Sequence, residues 1–374
     1  MGMRLLWVLL FLSAIHLSGY GQSQDTVRRE KIKYVAQETG LFAPLPEEVP
    51  PGHYSGIAYL GGSAYAVVDD KLNGSGLVFF NIDINDLGQV QSVEMQVPDC
   101  TSESEVKSKD CEGIAYVSLT DFADSLIREW KAALGMADSI PTIKGNTLYI
   151  SAESDQSITE YDIDGNPTGR ALEIPSEFGW DNIYPNRGFE ALTYSSSTSL
   201  FWTTTEAPLK SDGEYSLLHR FQSFDASLKP WIQYLYYMDE PIKSQSESKN
   251  AQAYVHGISA LAALNDGKLV VLEREAYVPK GGILKMALES FSMTKLYLVD
   301  PQDAIYGPGL NGELPKTLLC SFMTGALGLA NYEGMCLGPV LPDGRQTLVL
   351  IADSQGGSKG RVLEYVKVIA LKAE

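Results

Sequence analysis

Basic residues and histidine are scarce in this 374-residue chain. It has 29 lysine and arginine residues against 47 aspartate and glutamate residues, a formal net charge of -18 and four histidines. Nucleic-acid binding needs a basic surface that offsets phosphate charge, so the composition argues against a nucleic-acid partner. The chain also lacks an H-E-x-x-H segment, a phosphate-binding loop and an EF-hand loop. The acidic excess is compatible with cation binding, although a solvated surface explains it equally well.

Long hydrophobic runs are missing except near the amino terminus. After Arg4 the chain reads LLWVLLFLSAIHL, followed by the small residues Gly19 and Gly21. A positive residue, a short apolar run and small residues at a cleavage site make up a secretory signal peptide, and this run is short for a membrane span. We therefore expect a signal peptide over residues 1–21. The remainder, residues 22–374, is expected to be one exported monomeric domain without a membrane span, in the periplasm or outside the cell.

Cysteine is rare, and the four that occur fit no zinc motif: Cys100, Cys111, Cys320 and Cys336. An even count in an exported protein predicts disulfides. Of the three pairings that four cysteines allow, we favour Cys100–Cys111 and Cys320–Cys336. Each of these bonds would close one loop between successive strands.

One short strand-like segment occurs five times in the chain. Its copies read YSGIAYL from residue 54, CEGIAYV from 111, GFEALTY from 188, GISALAAL from 257 and YEGMCLGP from 332. Each copy is followed by further short runs rich in Val, Ile, Leu, Tyr and Thr and bounded by turn-forming residues, which is typical of strands. Units of four strands at irregular intervals predict an all-β fold, a β-propeller with five four-stranded blades.

The fifth repeat unit is one strand short, which predicts how the ring closes. The segment KIKYVAQETG at residues 31–40 is expected to pair with the carboxyl-terminal strand and thereby hide the sheet edges. A sixth blade within residues 195–255 is the alternative. Helix formers at helical spacing predict short helical insertions at residues 119–136 and 281–293.

The repeated segment places a polar residue at the head of each first strand. The five head residues are Ser55, Glu112, Glu190, Ser259 and Glu333. Further acidic residues end the second strands, among them Asp70, Glu153, Glu206 and Asp353, while Lys109, Arg187, His256 and Arg274 supply positive charge nearby. In a propeller these positions converge on one channel mouth, where repelling carboxylates need a cation. Oxygen-rich surroundings with few histidines favour Ca²⁺ over Zn²⁺. Alternatively, these acidic residues have a structural role only, because acidic side chains at strand ends often form turns.

The segments DCEGIAYV, NRGFEALTY, GISALAALNDGKLVVLEREAY and NYEGMCLGPVLPDGRQTLVLIADS together resemble the phytase-like family, the domain described as having the esterase-like activity of phytase. The resemblance covers roughly residues 50–370. It implies an exported β-propeller and a hydrolytic activity on a phosphoester or ester, assisted by calcium. Ser55 and Ser259 interrupt the ring of glutamates.

These observations lead to a hypothesis for the site. Ca²⁺ would be held by some of Glu112, Glu190, Glu333, Asp70 and Asp353, and would activate water against a small (phospho)ester or another anionic ligand. The positive residues Arg187, Arg274, His256 and Lys109 would bind that anion, and Glu153 or Glu206 would accept the proton of the water. The alternatives are a propeller that binds a ligand or partner without catalysis, and a lactonase-like hydrolase.

Overall fold

The structure is a computed structural model that describes residues 32–40, 43–69, 76–96, 110–118, 146–307, 311–325, 328–354 and 365–374. Residues Tyr34–Ala373 form one compact unit. Its described part is almost entirely β-structure, because short runs of β-branched and aromatic residues alternate with turns that contain Gly, Asn or Asp. The predicted signal peptide lies outside the described residues. Among those residues, no helix is long and apolar enough to span a membrane.

Two short strands at the start of the unit belong to a sheet formed mainly by the end of the chain. They are β1 (Tyr34–Glu38) and β2 (Ala43–Pro44). The first complete sheet then consists of β3 (Tyr54–Gly61), β4 (Ala64–Asp69), β5 (Leu77–Ile84) and β6 (Val90–Gln96). The second sheet consists of β7 (Cys111–Val117), β8 (Thr147–Ala152), β9 (Ser157–Asp162) and β10 (Pro167–Ala171). In both sheets, strands that are consecutive in the chain pair antiparallel.

The third and fourth sheets continue this meander. The third has β11 (Phe189–Ser195), β12 (Leu200–Thr205), β13 (Leu218–Phe224) and β14 (Pro230–Tyr237). The fourth has β15 (Ala251–Ala263), β16 (Leu269–Pro279), β17 (Phe291–Val299) and, after the short β18 (Gly312–Glu313), β19 (Lys316–Gly325). Strand β18 adds a fifth, parallel strand to the edge of the third sheet. Residues 195–255, considered above for a sixth blade, therefore supply strands of these two sheets.

The fifth sheet joins the two ends of the unit. It contains β20 (Asn331–Val340), β21 (Gln346–Asp353) and β22 (Tyr365–Ala373). Strand β1 pairs antiparallel along β22, from Tyr34 opposite Ala373 to Glu38 opposite Ile369, and β2 also pairs with β22. The predicted closure by the amino-terminal strand is confirmed, because this pairing supplies the strand that the last unit lacked.

The apolar core lies between neighbouring sheets, as a propeller requires. One cluster joins the first and second sheets through residues such as Val68 and Ile114, and similar clusters join each later sheet to the next. A further cluster joins the fifth sheet back to the first, with Val349 packed near Tyr65. The five first strands, β3, β7, β11, β15 and β20, also contact one another in that order, and β20 contacts β3. The all-β propeller fold predicted from the repeats is therefore confirmed.

In three of the five sheets a glycine follows the head residue and allows neighbouring first strands to approach one another closely. A Cβ atom on Gly56 would lie 2.2 Å from the carbonyl oxygen of Glu112, and one on Gly113 would lie 2.5 Å from that of Glu190. Only glycine avoids such clashes with backbone atoms. In the Glu-Gly pairs of the repeat, the glycine therefore permits close packing of the strands, and the glutamate lines the cavity.

Two short helices are present in the described part of the chain. Helix α1 (Gln245–Lys249) begins with a capping box between Ser244 and Glu247 and was not predicted. Helix α2 (Ile283–Glu289) lies within the predicted insertion at residues 281–293. The other predicted insertion, residues 119–136, lies outside the described residues.

The predicted disulfide between Cys320 and Cys336 does not form, since both residues are free thiols. Cys320 lies on the last strand of the fourth sheet, opposite Leu296, whereas Cys336 lies on the first strand of the fifth sheet, opposite Val349. The two side chains pack against different apolar clusters. Cys100 lies outside the described residues, so the pairing of Cys100 with Cys111 stays a prediction.

Candidate functional site

Each of the five head residues lies at a β-bulge. The pairing of first and second strands shifts register between Tyr54 and Gly56, Cys111 and Ile114, Phe189 and Ala191, Ile258 and Ala260, and Tyr332 and Gly334. A bulge adds a residue that does not follow the alternation of the strand and so redirects its side chain. The repeated sequence therefore produces the same local distortion in every sheet, at the same end of the first strand.

A cavity of about 350 Å³ lies at this end of the first strands and is lined by all five sheets. It brings together most of the predicted site residues: Glu112, Glu153, Arg187, Glu190, Glu206, Arg274, Glu333 and Asp353. Asp110 also lines the cavity and raises the number of carboxyl groups to seven, against the two guanidinium groups of Arg187 and Arg274. The described wall of the cavity is therefore strongly acidic.

Arg274 is bound to carboxylates on both sides. Its Nη2 donates a 2.6 Å hydrogen bond to Oε1 of Glu206, and its Nη1 donates to Oε1 of Glu333 and to Oδ1 of Asn331. Asn331 in turn donates a 2.7 Å hydrogen bond from Nδ2 to Glu333. Arg274 is only 5% exposed. This guanidinium therefore holds carboxylates of the third and fifth sheets together.

Arg187 occupies a more accessible position on the same network. Its Nη1 donates a 2.6 Å hydrogen bond to Oε2 of Glu206, and its Nη2 donates to the carbonyl oxygen of Tyr254. The side chain of Arg187 is 30% exposed. Burial alone would raise the pKa of Glu206, but Arg187 and Arg274 hold that pKa below its ordinary value. Glu206 is therefore the carboxylate that the structure keeps ionised.

Three carboxyl groups on or beside strands of the second sheet are placed as metal ligands would be. One oxygen each of Asp110, Glu112 and Glu153 lies within 4.8 Å of the others. Oxygen ligands of Ca²⁺ lie about 2.3–2.6 Å from the ion, so opposite ligands are roughly 5 Å apart. Asp110 has a positive φ of 52°, an uncommon backbone conformation for a residue other than glycine.

The pKa values of Glu112, Glu153 and Glu190, to which no arginine among the described residues donates a hydrogen bond, are all raised. Burial raises the pKa of Glu112 well above its ordinary value, and the charges of Glu190 and Glu333 raise it further. Burial and Glu206 raise the pKa of Glu190 in the same way. Burial also raises the pKa of Glu153 to about 7, with Glu206 as the next cause. Burial among like charges therefore shifts these groups toward the protonated form, and a bound cation would oppose that shift.

Several predicted residues lie elsewhere. Ser259 packs between strands, where its hydroxyl group donates to the carbonyl oxygen of Tyr332. In the fourth sheet, the charged side chain that lines the cavity belongs to Arg274 instead. His256 lines a separate small cavity beside Lys295, and burial lowers its pKa. Asp70 and Lys109 lie outside the described residues.

Two residues of the site were missed by the sequence reasoning. Asp110 stands two positions before Glu112 in the segment DCEGIAYV, and its place in that repeat was the available signal. Asn331 stands two positions before Glu333 and binds both Glu333 and Arg274. Its position in the repeat is the same as that of Asp110, but its bond to Arg274 depends on the neighbouring sheet and could not be predicted from the repeat.

Several solved structures are similar to this chain. The structure titled Dos1 propeller is 10% identical, with 84% of this chain and 66% of that chain covered and a TM-score of 0.32. The catalytic domain of a Coprinopsis cinerea GH62 alpha-L-arabinofuranosidase is 10% identical, with coverage of 91% and 97% and a TM-score of 0.41. The Malassezia sympodialis allergen Mala s 1 is 10% identical, with coverage of 88% and 96% and a TM-score of 0.34. This chain spans less than two thirds of the Dos1 structure.

A family model agrees with the resemblance drawn from the sequence, whereas no curated protein matches the chain. The model of the phytase-like family, described as the esterase-like activity of phytase, matches residues 49–355. This range begins before β3, ends after β21 and contains every described residue that lines the cavity. The chain therefore belongs to the phytase-like family.

Proposed function

We propose that the protein is a hydrolase of ester or phosphoester substrates that acts with a divalent cation, best matched by Ca²⁺. The observation that carries this proposal is the convergence of Asp110, Glu112 and Glu153 within 4.8 Å of one another at the wall of the cavity. This oxygen-only set suits a hard cation. The raised pKa values of Glu112 and Glu153 support it, because a cation removes the cost of burying these carboxylates together.

The cation site proposed here differs from the first hypothesis. Glu333 is occupied by Arg274 and Asn331, and Asp353 lies 3.7 Å from the ring of His53. Asp110, Glu112 and Glu153 would hold the ion instead. When bound, the ion would polarise the substrate oxygen and lower the pKa of a coordinated water.

Side chains of the chain itself would handle the proton and the substrate. Glu190 is buried beside the cation ligands, and burial raises its pKa, so this carboxyl group would act in proton transfer. Arg187 is the guanidinium with an exposed surface and would contact an anionic substrate group. Arg274 is buried among its partners and would position Glu206 and Glu333.

A substrate panel tests this proposal. An aryl phosphate, an aryl acetate and a lactone would be incubated with Ca²⁺ and, separately, with a chelator. We expect turnover that requires Ca²⁺ and falls at least about 100-fold in Glu190→Gln. Glu94→Gln, an exposed glutamate on β6, is the matched control and should retain full activity. Full activity of folded Glu190→Gln would contradict the assigned role, and turnover of the lactone alone would favour lactonase-like activity.

A non-catalytic binding propeller is the second candidate, and one observation favours it. Both guanidinium groups of the cavity are already bonded to Glu206, so neither arginine among the described lining residues is free of a carboxylate partner, which weakens the case for phosphoryl transfer. Cation binding without turnover of any panel substrate would support this function. Isothermal titration with Ca²⁺ measures that binding directly.

We also propose export, by the signal peptide predicted over residues 1–21. Mass spectrometry of the protein recovered from its source cells tests this proposal. A mature amino terminus near residue 22 is expected, and a mature chain that retains residues 1–21 would contradict export through cleavage.

A further inference from the structure

The fourth sheet extends beyond the bulge and forms a wall beside the carboxylates. Strand β15 has 13 residues and β16 has 11, and their portions around residues 251–257 and 274–279 pair with each other past the bulge at Ile258. Successive residues on a strand face opposite sides. The alternate residues that line the cavity are Ala253, Val255, Ala276, Val278 and Ser292, and Leu329 adds to them from the segment before β20. Tyr254 also lines the cavity, but its hydroxyl group donates to Glu275.

This wall is apolar apart from one hydroxyl group. The register places Ala276 between Val255 on β15 and Ser292 on β17. Ser292 is 1% exposed, and its Oγ has no hydrogen-bond partner among the described residues. A buried hydroxyl without a partner costs free energy, so its position on a cavity wall indicates a ligand atom that completes the hydrogen bond.

We propose that this wall binds the aliphatic part of a short-chain ester, with Ser292 Oγ donating a hydrogen bond to an oxygen of the ester. The inference rests on the proposed hydrolase function and narrows its substrates. The alternate residues of the wall carry no charge beyond Arg274, and the two cations beside it are already bonded: Arg274 to Glu206 and Glu333, and Arg187 to Glu206 and the carbonyl oxygen of Tyr254. A densely phosphorylated ligand would therefore find both arginines of the cavity already bonded to carboxylates, whereas a short aliphatic chain gains burial against the wall.

The size of the cavity agrees with such a ligand. Its volume of about 350 Å³ is at the lower end of the range for small-molecule pockets, about 300–1,000 Å³. A chain of a few methylene groups would lie against Val255 and Val278. Each fully buried methylene group strengthens binding roughly fourfold.

The test uses two neutral amides that mimic esters, keep the carbonyl acceptor and resist hydrolysis. N-methylacetamide and N-butylacetamide would be titrated onto the protein and followed by ligand-observed NMR. We expect N-butylacetamide to bind at least about tenfold more tightly. Ala276→Leu, which fills the wall, should abolish this preference, and Val278→Ala should reduce it. Equal affinities of the two amides, or an unchanged preference in both folded variants, would overturn the proposal.

Ser292→Ala tests the hydroxyl. It should weaken binding of both amides by about twofold to tenfold while raising the melting temperature, because it removes a donor that the free protein leaves unpaired. Ser199→Ala is the matched control: it removes another buried hydroxyl without a partner, remote from the cavity, and should leave amide binding unchanged. Unchanged amide affinity in Ser292→Ala would overturn the role of the hydroxyl.

A Ca²⁺ titration on the same sample separates this inference from the proposed function. Absence of Ca²⁺ binding together with a preserved preference for N-butylacetamide would refute the cation-dependent function and leave the aliphatic subsite supported. Binding of Ca²⁺ without any chain-length preference would overturn the subsite and leave the function intact.

Discussion

Arg274 on the fourth sheet donates a 2.6 Å hydrogen bond to Glu206, which follows the second strand of the third sheet. Both side chains are almost fully buried. Two opposite charges are thus held together away from solvent, at the wall of an acidic cavity. Their pairing explains how Glu206 stays ionised while Glu112 and Glu190, which lack such a bond to Arg274, have raised pKa values.

Removal of Arg274 should strongly destabilise the fold. Arg274→Met leaves Glu206 and Glu333 buried without their partner, which typically costs about 3–5 kcal/mol. The free energy of unfolding, measured in urea, provides the test. Arg345→Met is the control, because its partner Asp343 is 53% exposed, and we expect a far smaller loss there, since exposed ion pairs contribute little to stability. Equal losses in the two variants would contradict the assigned role of Arg274.

A methyl group at the glycine after the head residue should disturb the centre of the propeller. Gly113→Ala places Cβ 2.5 Å from the carbonyl oxygen of Glu190, and the strands must separate to accommodate it. We expect a loss of about 1–3 kcal/mol in the free energy of unfolding. Gly325→Ala is the control, because no atom lies within 4 Å of its added Cβ. A Gly113→Ala variant as stable as Gly325→Ala would rule out close packing as the function of that glycine.

Cation binding should depend on pH in a defined direction. Burial raises the pKa of Glu112, and it raises that of Glu153 to about 7, so these groups carry protons that Ca²⁺ must displace. Affinity should therefore increase as the pH rises from 6 to 8, with release of protons. Calorimetric titrations in buffers of different ionisation enthalpy measure both quantities. Affinity that is independent of pH, or uptake of protons, would exclude Glu112 and Glu153 as ligands.

His219 should make the fold sensitive to acid. Burial lowers its pKa from 6.5 to about 4, so between these values the unfolded chain binds a proton that the folded protein does not. Its contribution to stability is complete above pH 6.5 and decreases as the pH falls toward 4. Between pH 7 and pH 5 the loss is about 2 kcal/mol. His219→Gln should reduce this slope in urea unfolding, and an unchanged slope would exclude His219 as its source.

Local pattern was enough to predict the repeated strands and the head positions. The segment CEGIAYV and its copies carry the strand residues and the bulge-forming head, and three of the five copies also carry the close-packing glycine after the head. The missing last strand also predicted closure by β1, since an unpaired edge would otherwise remain. Family membership followed from the same segments.

Pairing across sheets could not be predicted in this way. Cys320 and Cys336 are near in sequence but lie on the outer strand of one sheet and the inner strand of the next. Likewise, Arg274 was expected to bind substrate, yet it is bonded to Glu206 and Glu333, which are 68 and 59 residues away. Such contacts depend on how neighbouring sheets pack.

The sequence by itself determined the strands, their order and the closure of the ring. It also determined that acidic residues gather where the first strands begin and the second strands end. These depend on side-chain alternation, turn residues and composition, which act over a few positions. The tertiary structure decided which carboxylates lie close together, which are neutralised by arginine and where an apolar wall faces them. These features arise because packed sheets fix distances between residues far apart in the chain, and burial then makes each unpaired charge costly.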